Sequence, residues 1–111
     1  MTLKALHDAL ISVSDNVFHF SVPARTQIPY IVYAEDADTA LWADDQRAML
    51  VAIQGTIDLY CKSNMYRLIR DIPRVLSDSE ISFYLNSIQT EDETGLMHYE
   101  WVFEVFDDGN N

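Results

Sequence analysis

Lysine and arginine are scarce in this 111-residue chain: seven stand against eighteen Asp and Glu, a formal net charge of −11. A surface so acidic has the wrong sign for gripping nucleic acid or an anionic membrane as a whole. Cysteine occurs once, as Cys61, which excludes an internal disulfide scaffold and a four-thiolate zinc site. Three glycines are too few for a glycine-rich phosphate cradle, and neither G-x-S-x-G nor H-E-x-x-H occurs. No apolar run approaches the roughly 18–20 residues of a membrane span. Leu3 to Val13 is interrupted by Lys4, His7 and Asp8, so it does not read as a signal peptide. Hydrophobic residues nonetheless reach 49%, an ordinary globular share. The expectation is a small, acidic, soluble intracellular protein of one domain over residues 1–111, with Asp107 to Asn111 a frayed acidic tail.

Leu3, Leu6, Leu10 and Val13 recur at helical spacing behind Thr2, an N-cap residue. Val17 to Val22 reads as a short strand, and Tyr30-Ile31-Val32-Tyr33 as another that starts after Pro29. Glu35-Asp36-Ala37-Asp38 is expected to break that strand, with Ala40-Leu41-Trp42-Ala43 returning. From Met49 to Lys62 the odd positions are apolar or small and those from Gln54 on alternate with polar ones, the pattern of a half-buried strand. Gly55 in its middle invites a bulge or bend. Ser63-Asn64 reads as an N-cap for a helix through Met65, Leu68, Ile69, Ile72 and Leu76, which Pro73 is expected to kink or end. Ile81, Phe83 and Leu85 alternate with polar residues. After the turn ending in Gly95, Met97, Tyr99, Trp101, Phe103 and Val105 share a face opposite His98, Glu100 and Glu104, which completes a hairpin. The sum is an α+β fold: a single mostly antiparallel sheet with two helices packed on one face.

Chemistry-bearing constellations are few. His98 and Glu100 share a strand face, geometry for a metal pair, but a solvated polar face accounts for them and no metal or catalytic residue is assigned. Cys61 ends an apolar strand face, the position of a packing thiol. Glu35, Asp36, Asp38, Asp44 and Asp45 form one acidic cluster and Glu91, Asp92 and Glu93 another. The first fails the EF-hand template because Ala40 stands at the fifth position. Arg67, Arg70 and Arg74 form a stripe opposite the second helix's apolar face, and with Lys62 hold four of the seven basic residues. Asp71 is expected to offset one arginine at most. The stripe reads either as a solvated face or as a docking edge for the acidic loops of another copy, a head-to-tail contact that can close into a ring. Trp42, between acidic loops, is a candidate exposed anchor.

Three segments carry a resemblance: Ile28-Pro29-Tyr30-Ile31-Val32-Tyr33, Gln54-Gly55-Thr56-Ile57-Asp58-Leu59-Tyr60, and Asp92-Glu93-Thr94-Gly95-Leu96-Met97-His98-Tyr99-Glu100-Trp101. In this order, after an N-terminal helix, they resemble the tail-completion or tail-terminator proteins of long-tailed phages and prophages, over residues 3 to about 106. The resemblance implies a non-enzymatic structural role. Such a protein caps the tail tube as a ring, usually of six copies, and joins it to the neck in the virion, after assembly in the host cytoplasm. Implied partners are the major tail tube protein, a neck or head-completion protein and further copies of itself, with no cofactor. Gly55, Asp58, Gly95, Tyr99 and Glu100 match the recurring pattern and read as fold-defining. DNA passes such a ring without specific binding, and Glu91, Asp92 and Glu93 are candidates for an acidic lumen that repels it. Two other readings stand beside this one: a head-closure or neck connector, and an acidic interaction module such as a DNA mimic.

Overall fold

A computed structural model describes residues 2–42, 49–91 and 93–107, with 37–42, 49–51 and 107 described by backbone alone. The first helix, α1 (Leu3–Ile11), begins where Thr2 Oγ1 accepts the Ala5 N–H at 3.1 Å. That bond satisfies one of the first-turn donors that a helix leaves open. Leu6, Ala9 and Leu10 are buried, as their spacing requires.

Five strands form one sheet: β1 (Val17–His19), β2 (Tyr30–Trp42), β3 (Met49–Lys62), β4 (Ser82–Glu91) and β5 (Leu96–Asp107), in the order β1-β2-β3-β5-β4. Every pairing is antiparallel except β1 with β2. The acidic run at 35–38 does not break β2. The ladder crosses it with a bulge between Glu35, opposite Gly55, and Ala37, opposite Gln54. Asp36 is the extra residue; the bulge leaves it exposed while the ladder resumes.

The second helix, α2 (Tyr66–Asp78), runs through Pro73. Proline removes the bond to the carbonyl four residues earlier, yet Ile72 and Leu76 on either side of it are fully buried. Leu68, Ile69 and Val75 also pack on the core, so burial carries the helix past the missing bond. Its N-cap is Met65, without a side-chain bond, instead of Ser63 or Asn64. Met65 N–H donates to the Lys62 carbonyl at 3.1 Å, which folds Ser63 and Asn64 into the turn from β3. At the other end Glu80 N–H reaches Ser77 O and Ile81 N–H reaches Leu76 O, both at 3.0 Å. This is a Schellman stop, with Glu80 at φ 59 in the left-handed place that usually takes glycine.

The core lies between the helices and one sheet face: Leu6 and Leu10, Ile31 of β2, Ile57 and Leu59 of β3, Ile72 and Leu76, and Phe103 and Val105 of β5. Each fully buried side chain of this kind contributes about 1.5–3 kcal/mol of transfer free energy. Among the described residues, no helix lies over the opposite sheet face. On that open face lie Tyr30, Tyr60 and His98 in one row and Asp58 and Glu100 in the next.

Candidate functional site

Polar and exposed apolar groups gather on several surfaces. On α2, Arg67, Arg70 and Arg74 are all exposed. Asp71 pairs with two of them, Arg74 at 2.8 Å and Arg67 at 3.6 Å, more than the one expected of it. Its position between them at i+4 and i−3 makes this possible. Arg67 also borders a shallow cleft shared with Ser12, Ser14 and Asp15 at the end of α1. The stripe is therefore a mixed, solvent-facing patch with net positive charge.

The second surface is the β4 edge. Strand order leaves one side of β4 unpaired, and Tyr84, Leu85 and Ile88 are exposed by 58%, 47% and 50%. A bulge between Leu85 and Ser87 puts Leu85 opposite Trp101 and Ile88 opposite Tyr99. Both apolar residues thus continue the apolar sheet face outward past its cover. Alternation alone would have sent Ile88 to the polar face; the bulge at Asn86 turns it back. An open edge with apolar side chains is a template for pairing with another chain.

The hairpin tip follows. Gly95 at φ 70 donates its N–H to Glu91 O at 2.9 Å, and Lys62 Nζ donates to Thr94 O at 2.6 Å. Glu91 and Glu93 are exposed there, whereas Asp92 lies outside the described residues. Trp42 has its backbone opposite Met49, and its side chain lies outside the described residues, as do Asp44 and Asp45.

The third surface is the open sheet face. His98 Nε2 lies 2.6 Å from Asp58 Oδ1, and Glu100 stands directly opposite Asp58 in the β3–β5 register. Asn86, the bulge residue of β4, donates its amide N–H to Glu100 Oε1 at 2.7 Å. The His98 ring stacks on Tyr60 at 4.2 Å and Tyr60 on Tyr30 at 4.9 Å. Burial pushes the Asp58 carboxyl above its ordinary value and Glu100 adds to this, against the His98 contact. The His98 and Glu100 pair expected on one strand face is thus joined by Asp58, a residue that the sequence marks only as fold-defining. The missing signal was the register between strands.

A second histidine pair lines the other edge. His19 Nε2 is 2.5 Å from Glu35 Oε1, and its ring stacks on Tyr33, whose hydroxyl meets His7 Nδ1 at 2.9 Å. Burial pulls the Glu35 carboxyl upward, but the His19 contact and a backbone hydrogen bond outweigh it and hold it below the ordinary range. Burial raises the Cys61 thiol, and the side chain is fully buried, as a packing residue should be.

With this geometry in hand, comparison with known proteins is informative at one level. No protein-family model matches the chain, and no curated protein matches it in sequence. A solved chain does share its fold. It belongs to the virion of a native gene transfer agent particle, and aligns with a TM-score of 0.51 at 10% identity over 94% of this chain and 84% of that one. At that identity the likeness is one of fold.

Proposed function

We propose that this protein is a non-enzymatic structural component of a phage-type virion, acting as a tail-completion protein that caps the tail tube as a ring and joins it to the neck. The observation that carries this reading is the fold shared over 94% of the chain with a chain of a virion particle. The order of segments that resembles tail-completion proteins supports it independently, since those segments fall in turn on β2, β3 and the β4–β5 hairpin after α1.

Two surface features suit assembly. The β4 edge offers Leu85 and Ile88 to a neighbour, and α2 offers an arginine stripe in a chain whose net charge is −11. A cationic patch on an acidic subunit is met best by an acidic segment of the next copy, a heterologous contact that repeats into a ring. In such a ring the acidic run of Glu91, Asp92 and Glu93 would face the passing DNA and repel its phosphates. The partners in this reading are the tail tube protein, a neck or head-completion protein and further copies of the chain.

Native mass spectrometry over a concentration series, with and without the cognate tube protein, tests the proposal. A closed ring, six copies in the tail-completion reading, is expected alone or on the tube end, and raised salt should weaken it. Binding to a portal or head-completion ring in place of the tube would move the protein to the neck. A salt-sensitive complex with a basic nucleic-acid-binding protein, and no ring, would make it a DNA mimic.

A further inference from the structure

The open sheet face carries a constellation that an assembly role does not require. Asp58 and Glu100 are directly opposed across the β3–β5 ladder, where like charges destabilise a sheet. Among the described residues, neither carboxylate has a lysine or arginine partner; His98 meets Asp58, and the neutral Asn86 amide meets Glu100. One coordinating atom from each of Asp58, His98 and Glu100 lies within 4.8 Å of the others.

The geometry points to a binding site for a divalent first-row transition cation, held by His98 Nε2 and one carboxylate oxygen each from Asp58 and Glu100. The donor set decides the class of ion. One imidazole nitrogen with two carboxylates suits zinc or manganese, whereas calcium and magnesium prefer oxygen throughout. Zinc bonds of about 2.0–2.2 Å place tetrahedral ligand atoms about 3.3 Å apart. His98 Nε2 and Asp58 Oδ1 would separate from their 2.6 Å contact to admit the ion, and no pair of the three donors is wider than 4.8 Å. The ion would replace the proton that His98 Nε2 and Asp58 Oδ1 now share at 2.6 Å.

The surroundings hold the ligands from outside. Asn86 occupies Oε1 of Glu100 and leaves Oε2 for the ion, an outer contact of the kind that orients metal-binding carboxylates. Stacking on Tyr60 fixes the plane of the His98 ring. The ring also forms one wall of a groove with Tyr60, Gln89, Thr90, Glu91 and Leu96, so solvent can supply the remaining coordination positions. The bound ion would clip β3 to β5 across the face that no helix covers.

Zinc titration of the metal-free chain, with calcium in parallel, tests the site by native mass spectrometry and by imidazole nitrogen resonances. One zinc per chain is expected, with the His98 ring resonances moving and calcium binding at least about tenfold more weakly. Glu100→Gln and His98→Gln, each checked for native circular dichroism, should lose at least about tenfold in zinc affinity. If either variant misfolds, the ring resonances of the unaltered chain still decide. Stoichiometric zinc that shifts His7 or His19 instead, equal zinc affinity in His98→Gln, equal binding of calcium, or no stoichiometric binding would each overturn the assignment. None of these results depends on whether the chain forms a ring.

Discussion

Gly55 of β3 lies so close under β2 that a Cβ built on it would fall 2.0 Å from the carbonyl oxygen of Ala34. The next nearest atom, the Cα of Glu35, is also backbone, at 2.7 Å. No side-chain rotation can relieve such a contact. Gly55→Ala should therefore destabilise the protein by about 1–3 kcal/mol or more, as overpacking does. Urea unfolding would show a lower midpoint, and an unchanged midpoint would mean that the β2 bulge yields freely.

Glu80 presents the reverse case. It occupies the left-handed position of the α2 stop at φ 59, where a side chain costs roughly 1–2 kcal/mol and glycine costs far less. Glu80→Gly should raise stability by about 0.5–1 kcal/mol, less than the full strain because glycine also gains freedom in the unfolded chain. Thermal unfolding reads the change directly.

The His19–Glu35 pair predicts a pH dependence with a definite sign. The folded Glu35 carboxyl sits below its unfolded value of about 4.5. Its contribution is present above that pH and is lost as pH falls through the folded value. Between pH 5 and 3 the protein should lose more stability than Glu35→Gln does. The difference should stay under about 1 kcal/mol, since the pair is partly solvated.

Cys61 should resist thiol reagents in the native state, because it is fully buried and its thiol is pushed up. Labelling with a chromogenic disulfide should follow unfolding. Fast native labelling would show that the end of β3 opens locally.

The assembly reading predicts a separation of effects at the β4 edge. Ile88 is half exposed, so Ile88→Lys should change monomer stability by no more than about 0.5 kcal/mol. The same substitution should abolish ring formation or tail capping, measured by native mass spectrometry and electron microscopy. A variant that assembles normally would remove this edge from the interface.

Much of the architecture was legible because β3 from Ile53 on and β5 each carry one continuous apolar face. With Ile53, Ile57, Leu59 and Cys61 on one face of β3 and Met97 to Val105 on one face of β5, both faces had to meet one layer, and Leu6, Leu10, Ile72 and Leu76 supply it. Local chemistry misled where tertiary packing outweighed it. The charged run at 35–38 reads as a loop, yet one bulge carries it through a ladder. Pro73 reads as a stop, yet Ile72 and Leu76 hold the helix around it. The candidate surfaces were legible only in part. Arg67, Arg70 and Arg74 lie on solvent as their spacing requires, whereas the outward turn of Ile88 depends on a bulge that no local pattern announces. The Asp58–His98–Glu100 cluster depends on the register that sets Asp58 opposite Glu100, a relation between distant segments.

The place of β5 in the sheet has a consequence for how the chain is made. It lies between β3 and β4, follows both in the chain, and supplies Trp101, Phe103 and Val105 to the core. Until it leaves the ribosome, β3 has an apolar face and an open edge, and β4 has no sheet partner at all. The sheet must therefore wait for β5 and then close contacts of long sequence separation, which are slow to form. The net charge of −11 works against association of those exposed strands in the meantime.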